Sequence, residues 1–309
     1  MSSTILIRGA TGFIGRAILI ELLKQKKNVI VLLHEDSKVE KLKNISNYNA
    51  IYYKNIDDPI FIKKLKKLNI GIIIDCAWEG VAGIYRNKEF QLPKNKILTF
   101  GLLNIAILLG VKQWISFGSQ AEYGNQNKKL DELAELKPTT LYGKAKKQVG
   151  LEAISLCDQN NISGVWLRIF STYGPNEPSH WFITYLIKEF FEKRSPKLTK
   201  CEQMWDYLYV EDMAKAVCSV ANGKIKGTFN LGYGKAYQLK TIVELVKKKI
   251  NSNLEPIYGA IDYREDQVMH LEADINKLKN LTGWMPIVNL EEGIQKTVEY
   301  FEKHPIYKI

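Results

Sequence analysis

The sequence predicts an α/β protein: a doubly wound parallel sheet followed by a smaller α/β unit. Three observations predict it. The apolar, branched run Thr4 to Arg8 leads directly into Gly9-Ala10-Thr11-Gly12-Phe13-Ile14-Gly15 and then into the amphipathic segment Arg16 to Lys26. From there to Phe170, strand-like and helix-like segments alternate at the spacing of βαβ units. Beyond Phe170 the strict alternation is lost, which places a second unit there.

The first glycine turn sits where a dinucleotide-binding turn belongs, between a buried strand and a helix. The first glycine permits the tight turn, the second lets backbone approach a pyrophosphate, and the third lets helix pack closely on strand. Gly9, Thr11, Gly12, Phe13, Ile14 and Gly15 are therefore cofactor-binding candidates, with phosphates resting on the helix N-terminus. The spacing is GxxGxxG rather than GxGxxG. The second strand, Asn28 to Leu33, ends without an acidic side chain at its tip, where one would bind the adenosine ribose of NAD. His34, Ser37 and Lys38, together with Arg8, could instead meet a 2′-phosphate. Glu35 and Asp36 work against that, and the reading leans to NADP within a general NAD(P)(H) expectation.

Strands follow at Ala50 to Tyr53 and Gly71 to Asp75, with a helix from Pro59 to Leu68 between them and a long helix over Lys88 to Leu109. The strand Gln113 to Phe117 delivers Gly118-Ser119-Gln120-Ala121-Glu122-Tyr123-Gly124 at its carboxyl end, the edge at which open sheets bind ligands. Pro138 opens the next helix, which carries Tyr142 and Lys146. Four residues apart, these share one helix face. An ammonium beside a phenol favours the phenolate, so the pair can exchange a proton with a substrate oxygen near neutral pH. The strand Gly164 to Phe170 ends in the turn Ser171 to Pro175. Helices are expected at Trp181 to Lys193, Glu211 to Ala221, Thr241 to Ile250 and Leu290 to Lys303, with a strand at Thr228 to Leu231. The expected division is residues 1–170, with roughly 206–233 returning to them, against 171–205 and 234–309.

Composition bounds the function. Apolar residues make up 46% and charged residues 25%, an ordinary globular balance. The net charge of +11 raises nucleic acid as a partner, but the lysines stand in short helical groups that read as solvated faces. No aromatic-basic groove accompanies them, so neither nucleic acid nor a membrane is expected as a partner. Cys76, Cys157, Cys201 and Cys218 form no CxxC and read as free thiols of a reducing compartment. Four scattered histidines make no metal site, and no apolar run is read as a membrane span. A cytoplasmic location is expected.

With these residues in place, the chain resembles the extended short-chain dehydrogenase/reductase family, and within it the nucleotide-sugar epimerases, dehydratases and ketoreductases, over nearly its whole length. The resemblance is carried by GATGFIG at 9–15, GSQAEYG at 118–124, YGKAK at 142–146, LRIFSTYGP at 167–175, WDYLYVEDMA at 205–214 and YRED at 263–266. It implies a Rossmann-like sheet and a C-terminal sugar-nucleotide unit. Tyr142 would be the general acid/base, Lys146 would lower its pKa and hold the nicotinamide ribose, and Ser119 would hydrogen-bond the reacting oxygen. Asn55 and Ile56 would lie near adenine, Ala77 and Trp78 would line the cofactor, and Asn95 matches a helix asparagine common in the family. Ser119, Gln120, Tyr173, His180, Trp205 and Arg264 are the implied substrate contacts, with Arg264 gripping the diphosphate.

Departures narrow the activity. The Asp-Glu pair that follows the Ser/Thr in 4,6-dehydratases is Gln120 and Ala121 here, and neither can serve as acid or base. A cysteine used for epimerisation beside a ketone in the fucose-synthase branch is also Ala121. The arginine usual before Asp-Phe is Trp205. The resemblance thus implies an oxidoreductase at C4 of a nucleotide-diphosphate sugar, reducing a 4-keto-6-deoxyhexose or running in reverse. Alternatives are a C4 epimerase with tightly held NAD and, more distantly, a non-catalytic dinucleotide sensor. A homodimer through the helices at Lys88 to Leu109 and Thr140 to Leu156 is implied as well.

Overall fold

A computed structural model describes residues 4–304; residues 1–3 and 305–309, the outer ends of the two expected units, lie outside it. The elements of the first half are β1 (Thr4–Arg8), α1 (Phe13–Lys24), β2 (Val29–His34), β3 (Asn49–Tyr53), α2 (Pro59–Leu65), β4 (Ile70–Asp75), α3 (Gln91–Leu109), β5 (Gln113–Ser119), β6 (Lys128–Leu130), α4 (Leu141–Gln159) and β7 (Ser163–Ile169). Then come β8 (Thr172–Tyr173), α5 (Phe182–Phe191), β9 (Met204–Asp206), β10 (Leu208–Tyr209), α6 (Val210–Asn222), β11 (Gly227–Leu231), β12 (Ala236–Gln238), α7 (Leu239–Ile250), β13 (His270–Ala273), α8 (Asn276–Thr282) and α9 (Leu290–Lys303).

The main sheet has seven strands in the order β11-β7-β5-β4-β1-β2-β3, and every pairing in it is parallel. This is the doubly wound Rossmann arrangement. Period-two alternation sends successive side chains of β1 to opposite faces. Ile5 and Ile7 join the core under α1 and α6, with Ile18, Leu19, Leu22, Met213 and Val217. Leu6 joins the core under α2, α3 and α4, with Phe61, Leu65, Leu102, Leu103, Val149 and Ala153. Each such side chain contributes about 1.5–3 kcal/mol by leaving water.

A third core gathers α5, α7 and α9 around Tyr173, Tyr207 and Tyr209. Beside it lies a four-stranded sheet in the order β12-β9-β13-β6. β6 comes from the first half of the chain and pairs with β13 across more than 140 residues. A three-residue strand has too little pattern to be read from sequence, and its pairing crosses the boundary drawn at residue 170. The helix expected to open at Pro138 begins at Leu141, where the Thr140 hydroxyl caps the amide of Gly143. α3, at 19 residues, is long and apolar enough to cross a membrane by composition, contrary to the sequence reading; here Leu102, Leu103, Ile105 and Ala106 bury it against the sheet.

Candidate active site

The carboxyl ends of β4, β5 and β7 open onto a cleft of about 680 Å³ that runs toward the third core. Beside it lies the glycine turn, from which Ile14 reaches the cleft lining. Gly9 has φ +82°, and a Cβ there would lie 2.9 Å from the Cys76 carbonyl carbon. A Cβ on Gly15 would collide with the Gly9 carbonyl oxygen, so α1 rests directly on the turn. α1 has no side-chain cap at Gly12 and no acidic residue in its first turn. Its free amides and dipole therefore face outward with nothing to neutralise them.

Ser119 ends β5 and is pinned by Glu122. Its amide donates to Glu122 Oε1 at 2.9 Å, and its hydroxyl oxygen accepts the Ala121 amide at 3.2 Å. Glu122 is 1% exposed and also accepts from Trp166 Nε1 at 2.9 Å and Arg168 Nε at 2.8 Å. Ser119 and Tyr142 both line the cleft floor. Burial pushes Tyr142 above its usual phenol value; Arg86 and then Ser119 act in the opposite direction, and Glu122 adds to the rise.

Lys146 is 4% exposed, donates to the Phe117 carbonyl at 2.7 Å and sits 3.5 Å above the Trp78 ring. Burial pulls its pKa down to about 7, against the raising influence of Glu122, Asp75 and Cys76. The Lys146 ammonium lies 5.9 Å from the Tyr142 ring centre and is turned to a carbonyl, while the Arg86 guanidinium carbon lies 5.1 Å from the same ring centre.

The model of the NAD dependent epimerase/dehydratase family matches residues 5–232, the stretch that builds this floor and glycine turn. The chain belongs to this family. One relative is the CDP-abequose synthase of Salmonella muenchen, 26% identical over 98% of this chain and 99% of that one. Among solved structures, the UDP-glucose 4-epimerase of Thermotoga maritima with UDP-glucose has 26% identity and a TM-score of 0.86, covering 97% of this chain and 99% of that one. The UDP-N-acetylglucosamine 4-epimerase of Methanobrevibacter ruminantium, with UDP-N-acetylmuramic acid, has 25% identity and a TM-score of 0.88, covering 98% and 100%.

The tight glycine turn and the uncapped helix start fit the dinucleotide of an NAD-dependent family. Ile14, Trp78, Ser119, Gln120, Tyr142, Lys146, His180, Trp205 and Arg264 all line the cleft. Phe13 stands at its edge, against Trp181 at 5.9 Å. Thr11 is half-buried in the turn, and Ala77 donates its amide to Asp75 at 3.2 Å. His34 and Ser37 lie at the tip of β2, away from the cleft; the His34 ring packs edge-on against Tyr53 and its Nδ1 accepts the Asp36 amide. Asn55 is exposed after β3, and Ile56 packs against the α3 face of the core.

Three expectations are overturned. Tyr173 is no substrate contact: it is 1% exposed, stacked edge-on with Tyr207 and Tyr209, its hydroxyl aimed at the Leu290 carbonyl. Asn95 is fully buried and spends its amide on the loop after β4, accepting from Glu79 N at 2.7 Å and donating to Glu79 O and Gln91 O. Arg8 forms a buried bidentate pair with Asp75 at 2.9 and 2.6 Å and cannot meet a 2′-phosphate. His180 is exposed beside Trp181, and Trp205 donates its indole N–H to Ser171 at 2.7 Å.

Sequence reasoning passed over Arg86, Glu122 and Glu177. Glu177 lines the far end of the cleft, 4% exposed, its carboxyl pushed up to about 8 by burial and accepting the Thr184 hydroxyl at 2.5 Å. Only an acidic side chain inside an otherwise uncharged turn, at Pro175 to Pro178, marked it.

Proposed function

We propose that this chain reduces the 4-keto group of a nucleotide-diphosphate hexose, with Tyr142 delivering the proton to the new hydroxyl. The observation that carries this reading is the convergence of Ser119 and Tyr142 beside Lys146 at one end of a cleft whose other end holds Leu198, Thr199 and Arg264. Bound nicotinamide dinucleotide would supply hydride chemistry there. Gly9, Gly12, Gly15 and the first turn of α1 would hold its phosphates. Ser119 and Tyr142 donate to the oxygen on which charge develops, and such assistance gives roughly 10²–10⁴-fold. Trp78 screens one side of the floor from water. Arg264 is more than half exposed, and beyond its long 3.9 Å pairing with Asp266 its guanidinium could fork onto a diphosphate.

The CDP-abequose synthase relative supports a CDP- or dTDP-activated 4-keto-6-deoxysugar. The structural likeness to UDP-sugar 4-epimerases supports a second reading, C4 epimerisation with the same three residues. An NADP preference now rests on His34, Ser37 and Lys38 without Arg8. The homodimer reading is supported by Ile97 and Leu151, apolar and exposed on the paired helices α3 and α4; light scattering tests it.

The deciding experiment is a thermal-shift panel of CDP-, dTDP-, GDP- and UDP-sugars, each with NADH or NADPH, followed by turnover on the sugar nucleotides that stabilise. Stoichiometric reduced-cofactor consumption is the expected result. Product without net consumption makes the chain an epimerase. Stabilisation by no sugar nucleotide refutes both readings.

A further inference from the structure

We infer that Arg86 is a positioning residue for the acid/base step: it holds a fixed positive charge over Tyr142 and stabilises its phenolate. This rests on the reading of Tyr142 as the proton donor and acceptor. Arg86 follows the short 3₁₀ turn Gly83–Tyr85 and is tied to the Tyr142 helix twice. Its carbonyl accepts the Tyr142 amide at 2.8 Å, and its guanidinium carbon lies 5.1 Å from the Tyr142 ring centre. The neighbouring Asn87 Oδ1 accepts the Leu141 amide at 3.1 Å, so the first turn of α4 is docked on this segment in one register.

The charge is uncompensated. Among the described residues Arg86 makes no ion pair, and its buried Nε–H has no partner. A donor buried without a partner is costly, and a chain keeps one where the group acts. The other groups facing the phenol cannot replace it. Ser119 is neutral, and the Glu122 carboxylate opposes ionisation of Tyr142. The Lys146 ammonium is committed to the Phe117 carbonyl and the Trp78 face, and burial leaves it only partly charged near neutral pH. A guanidinium stays charged throughout.

The test is a titration of Tyr142 itself in the full-length protein, with tyrosine labelled by carbon-13 at Cζ. The Tyr142 signal is the one lost in Tyr142→Phe. In Arg86→Gln the midpoint should move upward by about one pH unit, a tenfold change in the ionisation constant, and Arg86→Lys should return most of it. Thermal melts confirm that both variants are folded. An Arg86→Gln midpoint equal to that of the wild type overturns the proposal, as does a wild-type Tyr142 that never ionises below the pH of unfolding. If Lys146→Met moves the midpoint and Arg86→Gln does not, Lys146 is the cation. No turnover is needed, so a Tyr142→Phe protein that stays active refutes the proposed function without touching this titration.

Discussion

Replacing Glu122 by alanine should be among the most damaging single changes in the nucleotide-binding half, although Glu122 touches neither cofactor nor substrate. Its carboxylate accepts from Ser119 N, Trp166 Nε1 and Arg168 Nε at 2.8–2.9 Å, and both charged partners are nearly inaccessible. Removing it strands the Arg168 guanidinium, whose remaining side-chain partner is the Tyr123 hydroxyl at 3.0 Å. An orphaned buried charge of this kind costs about 3–5 kcal/mol. The two other donors left without an acceptor, Ser119 N and Trp166 Nε1, add to that incompletely, because all three belong to one network. At roughly 2–4 °C per kcal/mol for a large domain, the melting temperature should fall by about 10 °C or more. Differential scanning calorimetry of Glu122→Ala measures it. The double variant Glu122→Ala/Arg168→Met should recover part of the loss, since it removes the stranded charge. A Glu122→Ala protein that melts within about 2 °C of wild type would refute the reasoning.

Tyr142→Phe should keep cofactor affinity within a few fold and lose turnover by roughly 10²–10⁴-fold; isothermal titration and single-turnover kinetics read the two separately. Gly15→Ala should cost about 1–3 kcal/mol through overpacking against the Gly9 carbonyl and weaken dinucleotide binding, which urea unfolding and cofactor titration would detect. The pH dependence of stability has two opposed parts. Glu177 is raised from 4.5 to about 8, so the folded state binds more protons in that window and stability is lost as pH climbs through it. Lys146 is lowered from 10.5 to about 7, so the unfolded state binds more protons and stability rises from about 7 toward 10.5. Melts of Glu177→Gln across the acid window should be flatter than wild type; an identical slope would show that Glu177 is not the group responsible.

How much of this was legible depends on the range of the interaction. The floor of the site was read from local pattern: Tyr142 and Lys146 share a face because they are one helical turn apart, and Ser119 is delivered by the end of a buried strand. Asn95 and Tyr173 show the limit. Both have residue types suited to ligand contacts, yet Asn95 is consumed by the Glu79 backbone and Tyr173 by an aromatic core, and neither fate leaves a mark in nearby sequence.

By itself, then, the sequence determined the strand-turn-helix cradle of Gly9 to Gly15, the alternation that winds the sheet, and the placement of a phenol and an amine on one face of a helix. These follow from backbone conformation and periodicity over a few residues. Tertiary structure alone decided which cation faces the phenol, that Arg8 is spent on Asp75, that β6 crosses to pair with β13, and that Glu122 holds Ser119 against Arg168. Those outcomes join groups 46 to more than 140 residues apart, where burial forces each polar group to find a partner and only the folded chain determines which one is near.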